Sequence, residues 1–218
     1  MKKEIAFIFD LDGVIVDTAK YHFLAWRNLA NELSFEFTEK HNELLKGVSR
    51  VRSLEILLSI GNVTLTEAQK QTYLVKKNTE YLGYVNQMTA EEILPGINQL
   101  LDFLDQNNIK YALGSASKNA PLILEKVGLY NRFSAIVDGN DVSKAKPDPE
   151  VFLIGAKKLN MKPENCIVVE DAIAGVEAAN TANMVSIGIG DAELLKEATY
   201  ILNDTSGFTT DFLQKILN

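Results

Sequence analysis

Five apolar residues, 5–9, run unbroken into Asp10, and Asp12 and Gly13 follow at once. A short continuous apolar run that ends in turn chemistry suits a strand buried on both faces, as in a parallel sheet. Three later runs have the same form: "IKYALGS" from Ile109, "IVVED" from Ile167 and "VSIGIG" from Val185. "AIVDG" around Ile136 and "TYILND" around Ile201 are weaker versions. Between them, residues 95–106, 118–127, 149–159, 172–182 and 210–217 carry helical patterning. Strand and helix alternate, which predicts a three-layer, Rossmann-like α/β core with a parallel sheet.

One interval breaks the rhythm. A parallel crossover takes about 30 residues, yet residues 10–108 separate the first strand from the next clear one. Much of the excess reads as helix, over 19–33, 39–46, 49–58 and 66–85. On the first of these, His22, Trp26, Leu29 and Leu33 share one face at helical spacing. The expectation is an inserted α-helical cap domain over 17–87, with the α/β core made of 1–16 and 88–218. No internal repeat or low-complexity segment interrupts this plan.

Composition narrows the partners. With 46% hydrophobic and 23% charged residues in 218, the chain can bury a sizeable core. Its net charge of -7 argues against nucleic acid and anionic membranes as partners. An anionic substrate must then be met by local cations or a metal. The single cysteine, Cys166, permits no internal disulfide and reads as a small buried side chain. Lys2 and Lys3 precede an apolar run too short for a signal peptide, and no stretch is long enough to span a bilayer. The expected location is the cytoplasm, and the expected state is a monomer.

The candidate chemistry sits at the carboxyl ends of the predicted strands, where open α/β sheets bind ligands. Asp10 and Asp12 follow the first strand, Ser115 follows the second, and Glu170 and Asp171 end "IVVED". Lys146 precedes the helix led by Pro147 and Pro149. A calcium loop starting at Asp10 would need glycine and glutamate at its sixth and twelfth positions, but Ile15 and Tyr21 stand there. Two acidic pairs in one crevice repel unless a cation lies between them, and hard oxygen donors favour Mg²⁺. Taken singly, each group also has a plainer reading: a turn for Asp10 to Gly13, a helix cap for Ser115, a solvated lysine for Lys146.

In chain order, a DxD sequence, a serine, a lysine and an ED pair resemble the haloacid dehalogenase superfamily of phosphoryl-transfer enzymes. The resemblance covers essentially the whole chain. It implies that Asp10 is a nucleophile forming an aspartyl phosphate and that Asp12 is a general acid and base. It implies a Mg²⁺ site from Asp10, Asp12, Glu170 and Asp171. Ser115 and Lys146 would hold the transferring phosphoryl group. Within the superfamily, "DLDGVIVDT", "YHFLAW", "KGVSR", "SASKN" and "EDAIAG" resemble the β-phosphoglucomutase family. That family interconverts β-glucose 1-phosphate and glucose 6-phosphate through a bound bisphosphate.

The family pattern implies a second phosphate anchor at Arg50, Ser117, Lys118 and Asn119, where arginine's planar donors grip phosphate oxygens in pairs. Gly47, Val48, Ser49, Ser53, Ala116, Trp26 and Lys77, the last with Asn78, would face the sugar. His22 would couple cap closure to the placement of Asp12. Ala172 departs from the pattern, since serine is common there. Two rivals stay open: a Mg-dependent sugar-phosphate phosphatase of the same superfamily, and a non-catalytic module that accepts a phosphoryl group on aspartate.

Overall fold

The structure, a computed structural model, describes residues 4–45 and 48–217. Six strands form one parallel sheet: β1 (Ala6–Phe9), β2 (Tyr111–Gly114), β3 (Ala135–Val137), β4 (Cys166–Glu170), β5 (Val185–Ile189) and β6 (Tyr200–Leu202), in the order β3-β2-β1-β4-β5-β6. The α/β expectation holds, and both weaker runs are edge strands. β1 lies between β2 and β4, with Phe9 opposite Leu113 on one side and Val169 on the other.

Alternate residues of β1 serve two cores. Phe7 and Phe9 face one cluster with Tyr111, Leu113, Ile167 and Val169. Ala6 and Ile8 face the other with Ala112, Val168 and Cys166. This is why the run is apolar without alternation: both faces are covered. Helices α5 (Ile97–Gln106), α6 (Ala120–Lys126) and α9 (Thr210–Leu217) contribute to the first cluster. Helices α7 (Glu150–Lys158) and α8 (Ile173–Thr181) contribute to the second. Burial pushes the Cys166 thiol up to about 11, so it is an inert core group.

The long interval after β1 holds α1 (Ala19–Glu32), α2 (Glu39–Glu43), α3 (Arg50–Ile60) and α4 (Glu67–Val85). α1, α3 and α4, with Phe37 and Leu45 on either side of α2, share an apolar cluster of their own, built on Trp26, Leu29, Leu54, Leu57 and Leu74. Local chemistry sets their ends. Ser49 accepts a hydrogen bond from the Arg52 amide and caps α3. Thr66 and Gln69 form a reciprocal capping box on α4. Such caps contribute about 1 kcal/mol each. α2 stops at Glu43, short of the predicted end at residue 46, because the chain turns at Leu44 and Leu45. α3 runs on to Ile60, past the predicted 58, and turns out through Asn62 at φ 50°.

Two segments tie this insertion to the sheet. The Leu94 amide donates to the Ile15 carbonyl at 3.0 Å, and Val16 pairs with Ile93 as an antiparallel bridge. Glu92 accepts from Lys20 Nζ and Tyr21 Oη, both at 2.6 Å, fastening the start of α1 to the returning chain. Among the described residues, no helix is long and apolar enough to cross a membrane.

Candidate active site

A cavity of about 530 Å³ opens between the strand ends and the inserted helices. The strand ends contribute Asp10, Asp12, Ser115, Lys146 and Asp171 to its wall. α1, α3 and α4 contribute His22, Trp26, Arg50, Ser53 and Lys77, and Val48 and Ser49 lie just before α3. Ala116, Ser117, Lys118 and Asn119 complete the wall after β2. Thus nearly every side chain singled out in the sequence reaches one cavity. Gly47 lies outside the described residues. Glu170 is fully buried and does not line the cavity.

The centre of the strand-end wall is an ion triad. Lys146 Nζ donates to Asp10 Oδ1 and to Glu170 Oε1, each at 2.5 Å. Register explains it: the Asp10 amide donates to the Val169 carbonyl, so Asp10 emerges beside Glu170. Lys146 is 4% exposed and Glu170 0%. Burial opposes the Lys146 charge, but the two carboxylates outweigh it and hold its pKa above the usual lysine value. Much of the repulsion expected between the acidic pairs is therefore relieved by this lysine. The sequence placed Lys146 on phosphoryl oxygens; in the structure it bridges Asp10 and Glu170, a pairing that spacing alone does not reveal.

The remaining Asp10 oxygen is fixed too, since the Asp12 amide donates to Oδ2 at 3.0 Å. The next residue, Gly13, turns tightly at φ +79°, and a Cβ there would lie 2.2 Å from Asp171 Oδ2. Glycine at this point brings the second acidic pair against the loop of the first. The Thr18 hydroxyl donates to Asp12 Oδ1. Burial, helped by the Asp10 charge and opposed by Lys77 and Lys146, pushes the Asp12 carboxyl up to about 8. Asp12 therefore holds its proton more tightly than an ordinary aspartate, beside an Asp10 paired with Lys146.

Ser115 opens a turn rather than capping a helix directly, because α6 starts only at Ala120. Its Oγ accepts from the Ser117 amide at 3.1 Å, and Ser117 Oγ accepts from the Asn119 amide at 3.3 Å. Across the cavity, Asn119 Nδ2 donates to Asn78 Oδ1 of α4 at 3.1 Å, linking the loop after β2 to the inserted helices.

The helical wall handles its cation differently. Lys77 Nζ is 2.7 Å from His22 Nδ1 and lies above the Trp26 ring at 4.7 Å and the Tyr81 ring at 4.6 Å. His22 stacks on Tyr81 with centroids 4.1 Å apart. Burial, with Arg50 adding to it, pulls Lys77 down to about 7. Burial and the nearby Lys77 hold His22 well below its usual value, which favours a neutral ring. Trp26 belongs both to the helical core and to the cavity wall. Sequence reasoning missed Thr18 and Tyr81. Tyr81 was within reach, since it follows Lys77 by one helical turn.

The donors present are of the type taken by the cation that the resemblance implies. Asp10, Asp12 and Asp171 offer only hard oxygen ligands at one end of the cavity. Among the described residues, no group of three acidic, histidine or cysteine side chains converges on one point, and Lys146 stands between Asp10 and Glu170. Glu170 is thus a partner of Lys146 and of the Ala172 amide in this structure, not a wall residue.

Comparison with known proteins agrees with this arrangement. The family model described as haloacid dehalogenase-like hydrolase matches residues 6–183. The chain is 42% identical over 212 residues to β-phosphoglucomutase of Bacillus subtilis, spanning 96% of this chain and 94% of that one. It is 31% identical to a phosphorylated carbohydrates phosphatase of Thermotoga maritima, over 88% of this chain and 90% of the relative. The crystal structure of β-phosphoglucomutase from Clostridium difficile superposes with a TM-score of 0.94 at 44% identity, covering 99% of this chain and 97% of the other. With its parallel sheet, strand-end aspartates and inserted helices, the chain belongs to the haloacid dehalogenase family and, within it, to the relatives of β-phosphoglucomutase.

Proposed function

We propose that this protein is a phosphomutase that interconverts β-D-glucose 1-phosphate and glucose 6-phosphate through an aspartyl phosphate and a bound β-glucose 1,6-bisphosphate. The observation that carries the reading is one cavity lined both by the candidate reacting groups and by the residues the resemblance assigns to a second phosphate. Asp10, Ser115 and Lys146 stand in one set; Arg50, Ser117, Lys118 and Asn119 stand in the other. A phosphatase needs one grip and a path for water; a mutase must hold both ends of a bisphosphate.

Asp10 attacks phosphorus while the bond from phosphorus to the donor oxygen breaks. That oxygen takes the proton from Asp12, a task suited to a carboxyl whose hold on its proton is raised by burial. In the return step the acceptor hydroxyl gives its proton to Asp12. Its oxygen then attacks the aspartyl phosphate and releases the Asp10 carboxylate. Lys146 keeps Asp10 oriented and offers its ammonium to the transferring oxygens as charge redistributes. Mg²⁺, held by Asp10, the Asp12 carbonyl and Asp171, with Glu170 behind them, would supply charge neutralisation at the phosphoryl group. Residues 17–87 serve as a cap domain over the core of 1–16 and 88–218, excluding water from the aspartyl phosphate. Trp26, Val48, Ser49, Ser53, Lys77 and Ala116 line the cavity, where they would face the sugar.

The test supplies β-glucose 1-phosphate, a trace of the 1,6-bisphosphate and Mg²⁺. Glucose 6-phosphate is expected to appear faster than inorganic phosphate. The reverse order would identify a sugar-phosphate phosphatase, the activity named for the Thermotoga relative.

A further inference from the structure

Tyr81 carries a hydroxyl that nothing above employs. Among the described residues, its oxygen is the one buried side-chain polar atom without a formed hydrogen bond. The residue is 0% exposed. The ring cannot turn away to find water, since His22 stacks on it and Lys77 Nζ lies over it. A phenylalanine would fill the same space without burying an unmatched O–H, so packing gives no account of the hydroxyl.

Its neighbours do. The Tyr81 hydroxyl lies beside the Thr18 side chain and within the field of Asp12. Thr18 is fully buried, and its hydrogen is directed at Asp12 Oδ1. A threonine hydroxyl has one hydrogen to give and two lone pairs to offer. With the hydrogen committed to Asp12, the Thr18 oxygen can take only a donor, and the Tyr81 O–H is the donor at hand.

We propose that Tyr81 is a positioning residue for phosphoryl transfer: its O–H donates to Thr18 Oγ1 and thereby holds the Thr18 hydrogen on Asp12 Oδ1. The other Asp12 oxygen, Oδ2, is then the one that carries the exchanged proton toward the sugar oxygen. The relay runs from α4 through the residue preceding α1 to the loop after β1, so it spans the inserted helices and the strand-end wall. The inference rests on the reading of Asp12 as the general acid and base.

The experiment is a double-mutant cycle on the full chain, with Tyr81→Phe, Thr18→Val and the pair, assayed for glucose 6-phosphate formation with Mg²⁺ and the bisphosphate. Tyr81→Phe is expected to lower kcat about tenfold, the worth of one neutral hydrogen bond, with KM unchanged. In the Thr18→Val background the same change is expected to cost nothing further. Full activity in Tyr81→Phe overturns the inference. An equal loss in both backgrounds also overturns it, since Tyr81 would then act independently of Thr18. A fall confined to KM, or one tracking a lower melting temperature, assigns the hydroxyl to the fold and overturns it as well. If the parent protein itself forms no glucose 6-phosphate, it is the mutase reading that fails, and the parent control separates the two failures.

Discussion

Two buried lysines face each other across one cavity, and their environments push them in opposite directions. Lys146, 4% exposed, sits between two carboxylates, and its charge is held more firmly than in water. Lys77, 1% exposed, sits among two aromatic rings and a histidine, and its pKa is pulled down to about 7. Burial works against the cation in both places. The difference lies in what repays it: full counter-charges at 2.5 Å against ring quadrupoles and a single nitrogen. The strand-end wall is therefore built to keep charge for chemistry. The helical wall carries a cation near its titration point, suited to meeting a ligand that completes its surroundings.

The largest effect should come from Asp10, the proposed nucleophile. Asp10→Asn is expected to abolish turnover by more than about 10⁴-fold and to leave no labelled phosphate on the protein, read by kinetics and mass spectrometry. On the helical side, Arg50→Ala is expected to slow mutase turnover about a hundredfold through loss of paired phosphate contacts. Release of inorganic phosphate should fall far less, because that reaction needs only the strand-end groups. Equal losses in both reactions would erase the division between the walls.

The two lysines can be compared directly by stability. Lys146→Met leaves Asp10 and Glu170 facing each other and is expected to destabilise by about 3 kcal/mol in urea unfolding with a chelator present. Lys77→Met should be neutral or stabilising at pH 6, where the native protein must keep a poorly compensated charge buried. The folded Lys77 value of about 7 lies below the ordinary 10.5. Between those values the unfolded chain binds the extra proton. The parent should therefore gain stability over Lys77→Met as pH rises through that window, by at most roughly 1.4 kcal/mol per pH unit. A flat difference would show that Lys77 keeps its charge. The smallest change is expected from Asn78→Ala, which removes one hydrogen bond to Asn119 and should raise KM about threefold.

Much of this was legible in the chain. Continuous apolar runs announced strands covered on both faces, and Asp10, Ser115 and Glu170 to Asp171 marked their ends because a parallel sheet delivers its strand ends to one edge. The long helical interval before β2 announced the insertion, since no simple crossover needs such a length. What escaped was pairing at long separation. Lys146 and Asp10 are 136 residues apart, and Tyr81 meets Thr18 and His22 only because α4 returns along α1. A tyrosine on an amphipathic helix looks like any other core residue until its hydroxyl is found without a partner.

The sequence by itself determined the sheet, the insertion and which residue types could do the chemistry, because these follow from hydrophobic periodicity, turn residues and strand-end position, all of them local. Only the tertiary structure decided which cation neutralises which carboxylate, that Glu170 stands behind the wall instead of on it, and that two lysines of identical chemistry titrate in opposite directions. Charge states depend on burial and on neighbours a few ångströms away in space, and those are fixed by how distant segments come together, not by the order in which they are written.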